Sequence, residues 1–164
     1  MKKILCILLV WLTIAALPAL AEENPFAPYC LTVPDSVELT ETEGTFTFVH
    51  GKTRVVAMVI ERVPDENPGS AIIRMMSQFE PNAVIGDDLA MVEGFVGLQA
   101  VNQDKFGEGL DQLNVMVLGS DGRLLILSGY DLDGDEEQVR LLLDTLLSTL
   151  TVDGVKIVQN KELE

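Results

Sequence analysis

Hydrophobic and polar residues alternate through the first half of the chain, which is the pattern of half-buried β-strands. Short strands are predicted at residues 29–33 and 37–41. Residues 44–51 and 53–63 alternate well enough to pair as a hairpin, with a turn at residues 50–52. This half of the domain is therefore predicted to be mostly antiparallel sheet.

The second half continues the strand pattern. Residues 83–130 predict four strands in succession, and Ser120, Asp121 and Gly122 are a strong hairpin signal between the last two. In the C-terminal tail, residues 155–158 predict a further edge strand.

Two segments instead have the period of amphipathic helices. The first is residues 71–79, with Ser70 as its N-cap and Pro81 as its stop. Its apolar face is predicted to contain Ile72, Ile73, Met75, Met76 and Phe79. The second lies within residues 136–150, and its apolar stripe is Val139, Leu142, Leu143, Leu146, Leu147 and Leu150.

The longest apolar runs indicate how the helices are arranged. Residues 55–60, 115–118 and 124–127 are apolar at consecutive positions, which is typical of strands covered on both faces. One helix cannot cover both faces of a sheet. The predicted fold class is therefore α+β, an antiparallel β-sheet flanked by two helices in an α/β/α sandwich, formed by one domain at residues 29–153.

The N-terminus has the three parts of a secretory signal peptide. Two lysines precede an apolar run at residues 4–12, and small residues follow up to Ala21. A membrane anchor would need about 20 consecutive apolar residues, whereas Thr13 and Pro18 interrupt this segment. Residues 1–21 are therefore expected to be cleaved off near Ala21, leaving a secreted, periplasmic or extracellular protein.

Two short segments flank the predicted domain. Residues 22–28 are expected to be a flexible leader, and residues 154–164 a C-terminal tail or edge strand. After cleavage Cys30 is the one remaining thiol, so the mature chain is expected to have no internal disulfide.

The charge of the chain limits its partners. The full chain carries 11 basic and 26 acidic residues, a net charge of −15. Loss of Lys2 and Lys3 leaves 9 basic residues and a net charge of −17. Such a surface repels phosphates and anionic lipid headgroups, so neither nucleic acid nor membrane insertion after cleavage is expected. The charge is expected to keep the protein soluble. The partner is expected to be an unknown protein or envelope component, and a cationic partner remains possible. The sequence leaves the oligomeric state open.

The stretch GYDLDGDEEQVR at residues 129–140 resembles a calcium-binding loop, because Asp131, Asp133 and Asp135 alternate around Gly134. An EF-hand loop needs oxygen ligands at its positions one, three, five and twelve and glycine at its sixth. The stretch must therefore be tested against that register.

Both registers fail. With Gly134 in sixth place, the first position is Gly129 and the twelfth is Arg140. With Asp131 in first place, glutamate and leucine occupy the sixth and twelfth positions. The stretch is therefore predicted to be a helix entrance capped by Asp133 or Asp135, while a weak, irregular calcium site at the three aspartates remains an alternative.

Cys30 and His50 are the residues that a nucleophilic mechanism would require. His50 is the one histidine of the chain, so a thiol hydrolase would have to pair it with Cys30. No surrounding motif indicates an activated thiolate. The favoured interpretation is a small buried hydrophobic residue on a strand for Cys30 and an exposed turn residue for His50.

Phe106 stands among polar residues and glycines in the predicted loop at residues 102–112. An aromatic residue in such a loop either contacts a ligand or folds back onto the sheet. The sequence leaves both alternatives open.

The order of elements resembles the PsbP/Mog-like family. The resemblance rests on YCLTVPDSVEL at residues 29–39 and on SDGRLLILSGYDLDGDEEQVRLLLDTLLSTL at residues 120–150, and it spans nearly all of the mature chain. It implies an antiparallel sheet between helices and a non-enzymatic binding or accessory role. It transfers no catalytic residue, and because the chain lacks the basic surface that some members use for docking, it implies no particular partner.

The expected function is thus a secreted, non-catalytic binding or accessory domain in a bacterial cell envelope, without a cofactor. The alternatives are a calcium-dependent extracellular module and a small thiol hydrolase that uses Cys30 and His50.

Overall fold

The computed structural model describes residues 3–5, 27–86, 96–119 and 121–157. Its strands are β1 (Lys3–Leu5), β2 (Tyr29–Val33), β3 (Glu38–Thr42), β4 (Thr45–His50), β5 (Thr53–Ile60), β6 (Val84–Gly86), β7 (Val96–Asn102), β8 (Gln112–Leu118), β9 (Leu124–Asp131), β10 (Thr151–Val152) and β11 (Val155–Lys156). Its helices are α1 (Pro68–Met76) and α2 (Glu136–Leu147). The protein is α+β, with two helices and a large antiparallel sheet in this part of the chain, as predicted.

The large sheet has seven antiparallel strands in the order β3-β4-β5-β9-β8-β7-β6. The predicted hairpins are confirmed, because β4 pairs with β5 and β8 pairs with β9. β5 and β9 pair from Thr53 opposite Asp131 to Ile60 opposite Leu124. This long central pairing fixes the positions of the loops at both ends of the sheet.

A smaller sheet has the order β1-β2-β10-β11. Cys30 lies opposite Thr151, and β1 lies opposite residues 31–33. Most of the predicted signal peptide lies outside the described residues. β1 belongs to that predicted segment, so the expected cleavage near Ala21 would remove it.

The C-terminal end of the chain also joins the small sheet. β10 pairs with β11, so a strand is present at the first two residues of the edge strand that was predicted at residues 155–158. Residue 158 lies outside the described part of the chain. Ile157 is buried with the main core, at 5% exposure.

Two hydrophobic clusters use alternate residues of the same strands. Val115 of β8 and Leu127 of β9 pack with α2, whereas Met116 and Ile126 pack with residues of α1. Successive side chains of a strand point to opposite faces. The predicted burial of β8 and β9 at both sets of positions is therefore confirmed.

α2 follows the prediction closely. Its stripe Val139, Leu142, Leu143, Leu146 and Leu147 is buried, and Leu150 just beyond the helix is buried as well. The helix approaches β9 closely at Gly129, where an added methyl group would lie 2.5 Å from Cγ1 of Val139. Glycine at this position therefore sets how near α2 can lie to the sheet.

α1 differs from the prediction at its start. The N-cap is Asn67, not Ser70, and its side chain accepts a hydrogen bond of 3.0 Å from the Ser70 N–H. Pro68 follows in the first turn, where its missing N–H costs nothing. The helix therefore begins at Pro68, three residues earlier than the predicted start at residue 71.

The apolar face predicted for α1 was also partly wrong. Met75 is fully buried and Phe79, beyond the helix, is 9% exposed, but Ile73 is 71% exposed. Ile72 and Met76 are exposed as well. The helix rests on the sheet through Ala71 and Met75, so the buried stripe is narrower than the run of apolar residues suggested.

A mostly buried ion pair joins α1 to the loop before it. Nε and Nη2 of Arg74 lie 3.0–3.1 Å from the Glu66 carboxylate, and Nη2 also donates to the carbonyl oxygen of Gly122 at 2.9 Å. The two side chains are 17% and 9% exposed. One guanidinium thus connects the loop, the helix and the β8–β9 hairpin.

Tyr29 connects the small sheet to the same hairpin. Its hydroxyl group lies 3.0 Å from the carbonyl oxygen of Val117 and 2.8 Å from that of Arg123, and it accepts the Gly119 N–H at 3.1 Å. The side chain is 1% exposed, and burial raises the pKa of Tyr29 above its ordinary value. β2 is therefore attached to the larger sheet by polar as well as apolar contacts.

Neither α1 nor α2 is long and apolar enough to cross a membrane, and these are the helices within the described residues.

Candidate functional site

Three connections meet at one end of the large sheet: the β4–β5 turn, the β7–β8 loop and the β9–α2 turn. The register brings them together, because Thr53 lies opposite Asp131 and Asn102 opposite Gln112. The candidate functional residues Asp131, Asp133, Asp135, His50 and Phe106 lie in or beside these connections, whereas Cys30 does not. We call this region the loop end.

Asp131 is buried at the loop end, with 5% exposure. One carboxylate oxygen accepts the Thr53 hydroxyl at 2.7 Å. The other accepts the backbone N–H groups of Asp133 at 2.8 Å and Asp135 at 3.4 Å. Asp131 thus holds the turn after β9 against the start of β5.

The other two aspartates have separate contacts. Asp133 forms an exposed ion pair with Lys52, with Nζ 2.7 Å from Oδ2. Asp135 is the N-cap of α2, and its side chain accepts the Gln138 N–H at 3.2 Å. The predicted helix entrance is confirmed, and of the two proposed caps Asp135 is the one used.

The contacts of Asp131 determine the direction of its pKa. Burial alone would raise the pKa, but the Thr53 hydroxyl, the N–H groups of Asp133 and Asp135 and the charge of Lys52 outweigh burial, so the pKa of Asp131 lies below its ordinary value. The hydrogen bond and charge of Asp133 raise the pKa of Lys52. Both shifts favour the ionised forms of Asp131 and Lys52 at neutral pH.

Replacing Asp131 with asparagine is expected to destabilise the protein by about 2 kcal/mol at pH 7, because a buried carboxylate with three donors is lost. The folded-state pKa is lowered, so the stabilisation is present above the unfolded pKa of about 3.9 and is lost as the pH falls through the folded pKa. Urea unfolding at a series of pH values should show the two proteins converging in stability below about pH 4.

Asp133→Asn is the matched control for this series, because Asp133 is exposed and its pair with Lys52 is at the surface. It should have a much smaller effect than Asp131→Asn. A constant difference between wild type and Asp131→Asn across the whole pH range would contradict the assigned role.

The carboxylates at the loop end do not converge as a calcium loop requires. Asp131, Asp111 and Glu136 line a cavity of about 30 Å³, close to the space of one water molecule. One Asp111 oxygen accepts the Asp104 N–H at 2.8 Å, and Glu136 pairs with Arg140. Among the described residues no group of three or more potential ligands is arranged to hold a metal ion.

Millimolar calcium is therefore expected to leave the melting temperature of the mature protein unchanged. A ligand that binds only the folded state must raise it. Calorimetry with calcium and with a chelator would check this expectation. A rise that Asp131→Asn abolishes would instead establish an irregular site at the predicted aspartates.

Cys30 and His50 lie in different sheets. Cys30 is in β2 of the small sheet, opposite Thr151, and is partly exposed rather than buried as predicted, because the buried side chains of β2 are those that alternate with it. His50 ends β4 of the large sheet, and its Nδ1 is 3.0 Å from the carbonyl oxygen of Ser36.

His50 also borders a groove of about 220 Å³ between α2 and the β2–β3 connection. Pro34, Val37 and Leu141 provide apolar surface there, and Leu141 is 60% exposed. The imidazole lies at an exposed turn, as the favoured interpretation of the sequence predicted.

Phe106 combines features of its two alternatives. Its ring lies 4.8 Å from that of Tyr130 in β9, measured between centroids and tilted by 51°. It is nevertheless 50% exposed. The β7–β8 loop thus folds back onto the sheet while presenting one face of the aromatic ring to solvent.

A second cleft, of about 150 Å³, lies between α2 and strands β7 and β8. Its lining is mostly apolar, with polar or charged groups from Gln99, Asn114, Arg140 and Asp144. The apolar part consists of Val84, Ala100, Val101, Leu113, Val115 and Leu143. We call this the α2 cleft.

Sequence reasoning missed the α2 cleft because its lining comes from four elements that meet only through strand pairing. Val84 lies opposite Val101, and Val101 lies opposite Leu113. The available signal was the apolar pair Val84 and Ile85, which Gly86 separates from two aspartates. Without the register, that pair could not be placed beside α2.

The architecture is that of an α+β domain resembling PsbP, and comparison with solved structures gives the same resemblance. The chain is similar to the solution structure of cyanobacterial PsbP (CyanoP) from Synechocystis sp. PCC 6803, with 13% sequence identity and a TM-score of 0.49, over 76% of this chain and 86% of that chain. No protein-family model matches the chain, and no curated protein matches it significantly.

Proposed function

We propose that the protein is a secreted, non-catalytic binding or accessory domain of a bacterial cell envelope. The observation that supports binding is the α2 cleft, which has apolar walls and a few polar groups, the usual composition of a ligand site. In this proposal, α1 and α2 also cover opposite faces of the sheet, which makes the domain an α/β/α sandwich. In that arrangement the cleft is the gap that α2 leaves over β7.

Export is the part of the proposal that the N-terminal sequence supports. Residues 1–21 have the charge, the apolar run and the small residues of a signal peptide. With residues 1–21 removed, an acidic domain remains, whose charge favours solubility outside the cell.

A non-catalytic role fits the contacts at the loop end. Asp131 orders a turn, Asp135 caps a helix, and Asp133 is paired with Lys52. These groups therefore have structural contacts that account for their positions.

The charges around the α2 cleft indicate the kind of partner. Arg140 is paired with Glu136, with Nε 2.8 Å and Nη2 2.5 Å from Oε1. Asp144 contributes a further carboxylate to the lining. Together with the net charge of the chain, this favours a protein or envelope component with cationic groups.

Retention of a component from the organism's own envelope fraction tests the proposal. Tagged mature protein, residues 22–164, should retain a defined component that the tag alone does not retain. Val84→Asp should lose it, because Val84 borders the α2 cleft and is 56% exposed. Leu132→Asp is the matched control, since Leu132 is 53% exposed and does not line the cleft.

Two results would count against the proposal in different ways. Retention of nothing beyond the tag control would contradict the binding role. Equal retention by Val84→Asp and Leu132→Asp would leave binding intact but remove the α2 cleft as its site.

A further inference from the structure

The two edges of the seven-stranded sheet differ in composition. β3 contains the exposed residues Glu38 and Glu41, and its other residues are one leucine and two threonines. β6 instead has Val84 and Ile85, 56% and 45% exposed. Charged residues on an edge strand discourage pairing with other chains, whereas exposed apolar residues on an edge permit it. One edge is thus protected by its composition and the other is not.

β6 is paired on one side alone within the described residues. Val84, Ile85 and Gly86 lie opposite Val101, Ala100 and Gln99 of β7, and β6 ends the strand order of the sheet. Successive residues of a strand direct their N–H and C=O groups to opposite edges. Over three residues, at least one N–H and C=O pair must therefore face away from β7.

The α2 cleft begins at this edge. Val84 lies opposite Val101 and both line the cleft, so the cleft opens on the α2 side of β6. An added strand would lie about 4.8 Å beyond β6. Its alternate side chains would then lie beside Val84, where an apolar one can enter the cleft.

Charge distinguishes among extended segments that could bind there. Asp144 lies in the cleft lining, where Arg140 is already paired with Glu136. The whole chain has a net charge of −15. Lysine or arginine on a partner segment would therefore be attracted to this edge, and acidic side chains would be repelled.

We propose that β6 accepts an extended segment of a partner protein as an eighth strand of the sheet. One apolar side chain of that segment enters the α2 cleft, and basic residues flank it. Strand addition of this kind obtains affinity from main-chain hydrogen bonds and specificity from alternate side chains. The inference rests on the proposed binding function and names its surface and the chemistry of its partner.

A synthetic peptide tests the pairing directly. The probe is a fluorescein-labelled peptide of alternating valine and threonine with lysine at both ends, measured by anisotropy against the mature protein. It should bind about tenfold more tightly than the same peptide with glutamate ends, a difference of about 1.4 kcal/mol. Hydrogen exchange of the β6 amides that face away from β7 should slow when the peptide is added.

Backbone methylation of the peptide separates strand pairing from side-chain contact. Peptides N-methylated at the odd or at the even positions keep the same side chains. One series should lose binding at least about tenfold and the other should retain it, because alternate N–H groups face β6. Val84→Asp should weaken binding, and Leu132→Asp should match the wild type.

Several outcomes would overturn the inference. The first two are absence of peptide binding and equal binding by both methylated series. The others are protection, in the free protein, of the β6 amides that face away from β7, and a concentration-dependent dimer that Val84→Asp dissociates. If envelope retention succeeds while any of these occurs, the binding function stands and the edge assignment fails. If envelope retention also fails, the proposed function fails with it.

Discussion

Replacement of Glu66 with alanine is expected to lower the free energy of unfolding by about 3 kcal/mol. The substitution leaves the mostly buried Arg74 guanidinium without its carboxylate. Removing one member of a buried ion pair is costly because the remaining charge is desolvated and uncompensated. One Arg74 nitrogen, Nη1, is already buried without a hydrogen-bond partner among the described residues, so the guanidinium has little alternative compensation. Urea unfolding at pH 7 would measure the change.

The exposed pair of Glu136 and Arg140 provides the matched control. Its side chains are 44% and 48% exposed, so Glu136→Ala should change stability by no more than about 1 kcal/mol. The double replacement of Glu66 with leucine and Arg74 with methionine should recover much of the loss, because it removes both charges. Equal effects of Glu66→Ala and Glu136→Ala would contradict the buried role.

Replacement of Gly129 with alanine is expected to destabilise the protein by about 2 kcal/mol, the usual effect of overpacking a core. The new methyl group would lie 2.5 Å from Cγ1 of Val139 and 3.4 Å from side-chain atoms of Leu143 and Val55. A valine side chain has little freedom to move aside. Thermal and urea unfolding should both register the loss.

The second substitution Val139→Ala tests the cause. It removes the methyl group that the new side chain would contact, so Gly129→Ala should cost less in that background than in the wild type. This departure from additivity is the signature of a direct contact. Strictly additive effects would show that Gly129 acts through the backbone instead.

The elements that sequence analysis predicted well are those whose evidence is local. α2 has a continuous apolar stripe, and its buried residues are the predicted ones. The hairpin of β4 and β5 follows from alternation and a turn. Periodicity and turn chemistry are sufficient in such segments because neighbouring residues determine the structure.

α1 shows why other predictions fail. Ser70 and Asn67 are both acceptable caps, and sequence alone did not reveal that Pro68 would occupy the first turn. The apolar run also exceeded what the sheet could cover, which left Ile73 exposed. The buried width of a helix depends on the surface beneath it, and that surface is set by distant strands.

In the candidate sites too, features set by neighbouring residues could be predicted, and features set by distant residues could not. Testing the aspartate stretch against the calcium-loop register was enough to predict a capped helix, because cap and ligand spacing are local. The bond from Thr53 to Asp131 joins residues 78 positions apart and could not be predicted. The α2 cleft likewise exists only once β6, β7, β8 and α2 are assembled.

The hydroxyl group of Tyr29 also constrains the order in which the chain folds. Its hydrogen-bond partners lie 88 to 94 residues later, and its strand pairs with β10 more than 100 residues later. Contacts so distant in sequence close late and slow folding. During vectorial synthesis, β2 emerges long before the residues that its side chain and backbone contact. The start of the domain therefore stays undocked until nearly the whole chain has been made.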